Sequence, residues 1–151
     1  MIEDVSDREE RFAGYRRARL RIHDLDGGVV EVHPADPGIT SGRFPFAAPV
    51  HVLTAFDPGP ARLAPEENDR RQQALLGDLP GHLCRWDAEA GASDGSHTEH
   101  SVVVEGLTDD EAVSLGRRHG QDAIFRWDPA AWSILPCDGG PPSHAGWTLS
   151  G

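Results

Sequence analysis

Glu99 and Ser101 stand two residues apart in the run EHSVVVE. Side chains alternate across a strand, so both fall on one face, with Val103 next along it. A carboxylate beside a hydroxyl at a strand end offers a general base or a ligand acceptor. The plainer alternative is a solvent-facing strand edge. Asn68, in PEENDRRQQALL, shares a helical face with Leu75 and Leu79. An amide near a core face must be hydrogen-bonded, because leaving it unpaired costs roughly 1–3 kcal/mol. It either holds the turn at Asp57–Gly59 or faces a ligand. Gln121 directly follows Gly120, where a helix gives way to a strand, and its amide can reach a neighbouring loop or a small molecule.

Other chemistry-bearing residues lack a supporting pattern. His97, Glu99 and His100 form HTEH, but two histidines three apart in a strand or loop point to different faces. This is not HExxH, in which both histidines share a helical face, and no metal site is expected. Ser101 is not in a G-x-S-x-G elbow. Cys84 and Cys137 form no CxxC and read as plain residues. His119 lies on the stripe of Ala112 and Leu115 and reads as a packed or boundary histidine.

The elements that position these residues follow from periodicity. Residues 7–18 predict a short helix, weakened by Gly14. Leu20 and Ile22, then Val30 and Val32, alternate around Asp26-Gly27-Gly28, a β-hairpin signal. Residues 34–49 are rich in proline and glycine and predict a linker or ordered loop. VHVLTAF (50–56) reads as a buried strand stopped at Pro58. A helix starts near Pro65, with Glu66 and Glu67 in its first turn, and ends at Pro80-Gly81. Residues 82–87 predict a short strand, 88–98 a polar loop and 99–105 a strand. Thr108 and Glu111 form a capping box for a helix over 109–119. Strands at 122–127 and 132–136 follow, and the tail from 137 shows no periodicity.

From residue 50 the order is β-α-β-β-α-β. This predicts an α+β fold, a ferredoxin-like antiparallel sheet with both helices on one face, extended by the N-terminal hairpin. The organisation expected is an N-terminal helix, hairpin and loop (1–49), an α+β core (50–136) and a Gly/Pro-rich tail (137–151).

The 151 residues suit one domain. A net charge of −11 argues against binding a nucleic-acid backbone or an anionic membrane. No lysine is present, which excludes a lysine Schiff base and a Walker A loop. The first ten residues are acidic with no apolar h-region after them, and no run approaches 18 apolar residues. A cytoplasmic location is expected, and the compositional bias towards Ala, Gly, Pro and Arg hints at a GC-rich bacterial genome.

The segments HVLTAFDPG, EEN, EHSVVVEGL and GRRHGQDAIF together resemble an uncharacterised bacterial family called domain of unknown function 3293, over about residues 50–136. Its pattern is a strand ending Thr-Ala-x-Asn-Pro, a Glu-Asn in the first helix, a Glu-x-Ser opening a later strand and a Gln-x-Ala-Ile after the second helix. Here these are Thr54, Ala55, Asp57, Pro58, Glu67, Asn68, Glu99, Ser101, Gln121, Ala123 and Ile124. Asp57 stands where the family has Asn, and an acid lacks the amide's donor. The resemblance implies no activity.

Three readings follow. In the first, Thr54, Asp57, Asn68, Glu99, Ser101 and Gln121 converge on one ligand or partner site of an accessory domain, whose partner is an unknown small molecule or protein. In the second, Glu99 or Asp57 is the general acid or base of a small enzyme at that site. In the third, these residues only brace loops. No cofactor is expected.

Overall fold

The structure, a computed structural model, describes residues 14–25, 27–58, 62–91 and 98–150. Its elements are β1 (Arg19–Leu25), β2 (Gly28–Ala35), β3 (Thr40–Ser41), β4 (Val50–Leu53), α1 (Pro65–Asp78), β5 (Arg85–Gly91), β6 (Thr98–Glu105), α2 (Asp109–Arg118), β7 (Ala123–Trp127), β8 (Trp132–Pro136) and β9 (Ser143–Ser150).

Hydrogen-bonded neighbours run β2-β1-β5-β6-β4-β7-β8-β9, and β9 pairs back onto β2. The eight strands therefore close into a barrel, and every one of these ladders is antiparallel. The two-residue β3 lies parallel to β9 outside that ring. This overturns the ferredoxin-like α+β expectation. The hairpin β1–β2 extends the wall past β5, β8–β9 extends it past β7, and the pairing of Glu31 through Ala35 with Ser150 through Gly146 joins the two ends. An open sheet would leave both edges unpaired; closure satisfies them. The tail expected to lack regular structure supplies the closing strand.

Alternation decides the two faces. Inward go Leu20, Ile22, Val32, Val50, Val52, Ala88, Ala90, Val103 and three tryptophans, Trp127, Trp132 and Trp147. An eight-stranded barrel is just wide enough to be filled by its own side chains. Trp127 meets Trp132 and Trp147 edge to face at 6.2 and 5.3 Å. One end is sealed by the Pro/Gly-rich loop before β4. Phe44 packs on Trp127 at 5.0 Å and Phe46 on Trp86 at 4.8 Å. The Glu105 carboxylate holds that loop by accepting from the Ala47 and Ala48 backbone N–H groups. At the opposite end Tyr15 lies edge-on to Phe125.

Outward, Leu53, Val102, Val104, Ile124 and Leu135 form a second core with Leu75 and Leu79 of the α1 face and Ala112 and Leu115 of α2. Both helices thus cover one side of the barrel. α2 starts on the expected capping box, with Thr108 Oγ1 accepting from Glu111 N and Glu111 Oε1 accepting from Thr108 N. Residues 14–17 are helical; the rest of the helix expected over 7–18 lies partly outside the described residues. Among the described residues no helix is long and apolar enough to cross a membrane.

Candidate functional site

β4 ends at Leu53, and the chain turns outward through Thr54–Pro58 at the end of the barrel nearest Tyr15. Four of the five backbone hydrogen-bonding groups from Ala55 N–H to Asp57 N–H meet side chains from elsewhere. Ala55 N–H donates to Gln72 Oε1 at 2.8 Å, and Asp57 N–H donates to Asn68 Oδ1 at 2.9 Å. The Ala55 and Phe56 carbonyls accept from Arg71 Nε at 3.4 Å and Gln121 Nε2 at 3.0 Å. Asn68 and Gln72 are one turn apart on α1, on the face of Leu75, so the helix lays two buried amides against the turn. Thr54 Oγ1 accepts from Phe56 N–H at 3.2 Å and donates to the His100 carbonyl at 2.8 Å.

Asp57 has φ of +43°, a left-handed conformation that Asn and Asp tolerate better than other side chains. Its Oδ1 accepts from Leu63 N–H at 2.8 Å and from Asn68 Nδ2 at 3.1 Å. The position uses acceptors, and an amide oxygen would serve both bonds equally. The lost donor therefore removes nothing from this clamp. The same Asp57 carboxylate is bound on both oxygens, with Arg62 at 3.4 Å from Oδ2, which is poor geometry for a general base. Gly120, at φ +78°, lets the loop seat: a Cβ there would come within 2.6 Å of Pro58 Cβ.

Of the six residues expected to converge, Thr54, Asp57, Asn68 and Gln121 meet on this turn. Glu99 and Ser101 lie apart from the turn in sequence, on β6. Ser101 is buried on the inner face, opposite Ala88, and its Oγ donates to the Glu99 carbonyl at 3.2 Å. Glu99 is half-buried opposite Ala90. Of the HTEH run, His97 lies outside the described residues, and His100 faces outward, its Nε2 3.9 Å from Asp87 Oδ1. Among the described residues no group of three His, Cys, Asp or Glu side chains is placed to hold a metal ion.

A cleft of about 560 Å³ lies beside the clamped turn, on the outer face of β1, β5 and β6. His23, Asp24, Asp87, Glu89, Thr98 and His100 line it. His23 Nε2 and Glu89 Oε1 are 2.7 Å apart. The Phe56 ring stands edge-on to His100 at 6.4 Å. The turn therefore touches the cleft wall twice, through Thr54 to the His100 backbone and through Phe56 to its ring.

Sequence reasoning missed three contributors. Gln72 continues the Asn68–Leu75 stripe, and a second amide on an apolar face was the available signal. Arg71 also reaches the His119 carbonyl at 3.4 Å, tying α2 to the turn. His51, in the middle of a strand read as apolar, is only 1% exposed, and its Nε2 lies 2.7 Å from Asp109 Oδ1 at the start of α2. Burial pulls its pKa below the usual value, and the Asp109 hydrogen bond only partly restores it. The Asp109 carboxylate oxygen accepts, so the ring donates from Nε2. Arg126 Nε joins Asp109 Oδ1 at 3.2 Å. The carboxylates with displaced pKa values, Glu31, Asp78 and Glu111, are all lowered. For Asp78 the largest cause is the hydrogen bond from His119, and for Glu111 the bond from the Thr108 backbone. For Glu31, partial burial pushes upward, and the Arg21 hydrogen bond with the charges of Arg19 and Arg21 overcomes it.

Fold and site together define a small closed antiparallel barrel with a two-helix outer layer clamped to one end by side-chain amides. Residues 53–124, from the end of β4 into β7, match the family described as protein of unknown function (DUF3293). No curated protein and no solved structure matches the chain.

Proposed function

We propose that this protein is a non-catalytic binding domain whose recognition surface is the cleft between His23 and His100, with the clamped turn braced against its His100 side. The observation that carries this reading is the double contact of Thr54 and Phe56 with His100. It links the turn to a side chain that lines the cleft. Asn68 Oδ1, Gln72 Oε1 and Gln121 Nε2 each bond to backbone of the turn and so hold it in position. Three carboxylates and two imidazoles line the cleft. That chemistry favours a ligand or partner segment bearing a cationic group, such as a guanidinium or amine, which accepts the bidentate geometry of a carboxylate. A domain with a net charge of −11 would also draw such a partner in by its long-range field.

The test is a nitrogen-15 amide NMR titration with agmatine and with a short arginine-rich peptide, repeated at high salt. Shifts confined to residues 23–24, 54–58, 87–89 and 98–100, weakened by salt and by Glu89→Gln, support the reading. Shifts scattered over the surface, or none at millimolar ligand, overturn it.

A further inference from the structure

Two kinds of cation meet the carboxylates on the outer face of β1, β2 and β5. Glu31 of β2 is held by arginine, with Arg19 at 3.1 Å and Arg21 at 3.0 Å. A guanidinium keeps its charge at every pH a protein meets. The cleft carboxylates are held differently. Glu89 lies directly opposite Arg21, yet that guanidinium turns to Glu31. Among the described residues, the only basic groups in ion-pair contact with Glu89 and Asp87 are His23, at 2.7 Å, and His100, at 3.9 Å. The two rings flank β5, one from β1 and one from β6. Asp24 follows His23, and strict alternation would turn it inward. The irregularity in β1 between Ile22 and Leu25, with Asp24 at φ +58°, leaves it exposed and lining the same cleft. Ala88 and Thr98 in the lining, and Thr54 and Phe56 against His100, are uncharged.

We propose that the His23–His100 cleft is proton-gated: on acidification its own imidazoles become the cations that occupy Glu89 and Asp87, and a bound cationic ligand is released. This rests on the reading of the cleft as a cation site. Imidazole is the side chain whose ordinary titration falls between about pH 5 and 8. With both rings neutral the lining carries a charge of −3, and with both protonated it carries −1. Each imidazolium also acts twice against the ligand, by repelling its charge and by taking a carboxylate oxygen it would use. The His23 ring already sits against its acid, so protonation there needs no rearrangement of the wall. The Arg19–Arg21–Glu31 group beside the cleft keeps its charge over the same range and contributes no gate.

The test is calorimetric titration of the full chain with agmatine from about pH 8 to about pH 5.5 at low salt, with circular dichroism confirming the fold at each pH. Agmatine keeps both of its charges over this range, and carboxylates of ordinary strength titrate near about pH 4, so the series reads imidazole. Affinity should fall about tenfold or more towards the acid end. By reciprocity, saturating agmatine should lower the titration midpoints of the His23 and His100 ring protons by about half a pH unit each. His23→Gln and His100→Gln assign those ring signals and should each remove part of the pH dependence. His33→Gln, beside Glu31 and outside the cleft, should leave it intact. Undiminished binding at the acid end, ring midpoints that agmatine does not move, or a pH dependence unchanged in both cleft variants would each overturn the gate and leave the cation site standing. No binding at any pH would sink the cation site itself, and the gate with it.

Discussion

The barrel interior and the outer helical layer solve the same problem by different means. Inside, three tryptophans and the Phe44–Phe46 plug fill the space, and order comes from shape. Outside, the apolar contact between α1, α2 and the wall is supplemented by directed bonds: Asn68 and Gln72 to the turn, His51 to Asp109, Arg117 to the Cys137 carbonyl. Shape-filling tolerates no loss of volume, whereas directed bonds fix position at a smaller cost in stability each. The lesson is that Thr54, Asp57, Asn68 and Gln121 mark the joint at which the helix layer is registered on the barrel wall, while Ser101 faces the interior.

This contrast can be broken most severely from inside. Trp127→Ala should destabilise by about 3–5 kcal/mol, as large-to-small core changes do, and denaturant unfolding would measure it. An effect no larger than that of a clamp mutation would erase the distinction. Next in size, Asn68→Ala removes the acceptor of the Asp57 N–H and one of the donors to Asp57 Oδ1 and should cost about 2 kcal/mol, with Tm lower by roughly 4–8 °C. Its amide shifts should stay near the turn and leave the Trp127 indole signal in place.

His51 sharpens the comparison through pH. Its folded pKa lies below the ordinary imidazole value of 6.5, so in acid the unfolded chain takes up a proton that the folded chain refuses. Stability is therefore complete above about pH 6.5 and falls as the pH drops from there towards the folded pKa. The lowered carboxylates lose their contribution only at more acidic pH, because the ordinary values are 4.5 for Glu and 3.8 for Asp. Chemical denaturation between pH 7 and 5 should show a slope that His51→Gln removes. Smaller again, Glu111→Ala breaks half of the capping box and should cost about 1 kcal/mol. Least disruptive is a labelling experiment. Burial pushes the Cys137 thiol up to about 11, while Cys84 is exposed. A thiol reagent at neutral pH should modify Cys84 quickly and Cys137 only as the outer layer opens.

Much of this was legible in residue order. The hairpin, the β4 strand, both helices and the capping box follow from periodicity and turn chemistry, because each is a local preference. Closure was not legible. Ser143–Ser150 carries Gly146 and serine among its apolar residues, which hides its strand alternation. In the barrel that glycine is a packing requirement: a Cβ there would stand 1.9 Å from the Ile39 carbonyl oxygen. β5 was placed too early for a related reason. Its inward side chains Trp86, Ala88 and Ala90 alternate with Asp87 and Glu89, yet two alanines and the glycine after them resemble a loop until Leu20 and Ile22 are known to lie opposite. Within the clamp, Asn68 announced itself as an amide on an apolar stripe, whereas the partner of Gln121, a carbonyl 65 residues away, exists only once α2 is seated.

The pairing of β2 with β9 also has a kinetic meaning. Two staves that zip together as Glu31 meets Ser150 come from nearly opposite ends of the sequence, and such distant contacts slow folding because the loop entropy must be spent before they form. The ring cannot close until residues 143–150 are available to β2. Until then β2 exposes an unsatisfied edge, and the pairing with β9 is the step that protects it from sticking to its neighbours.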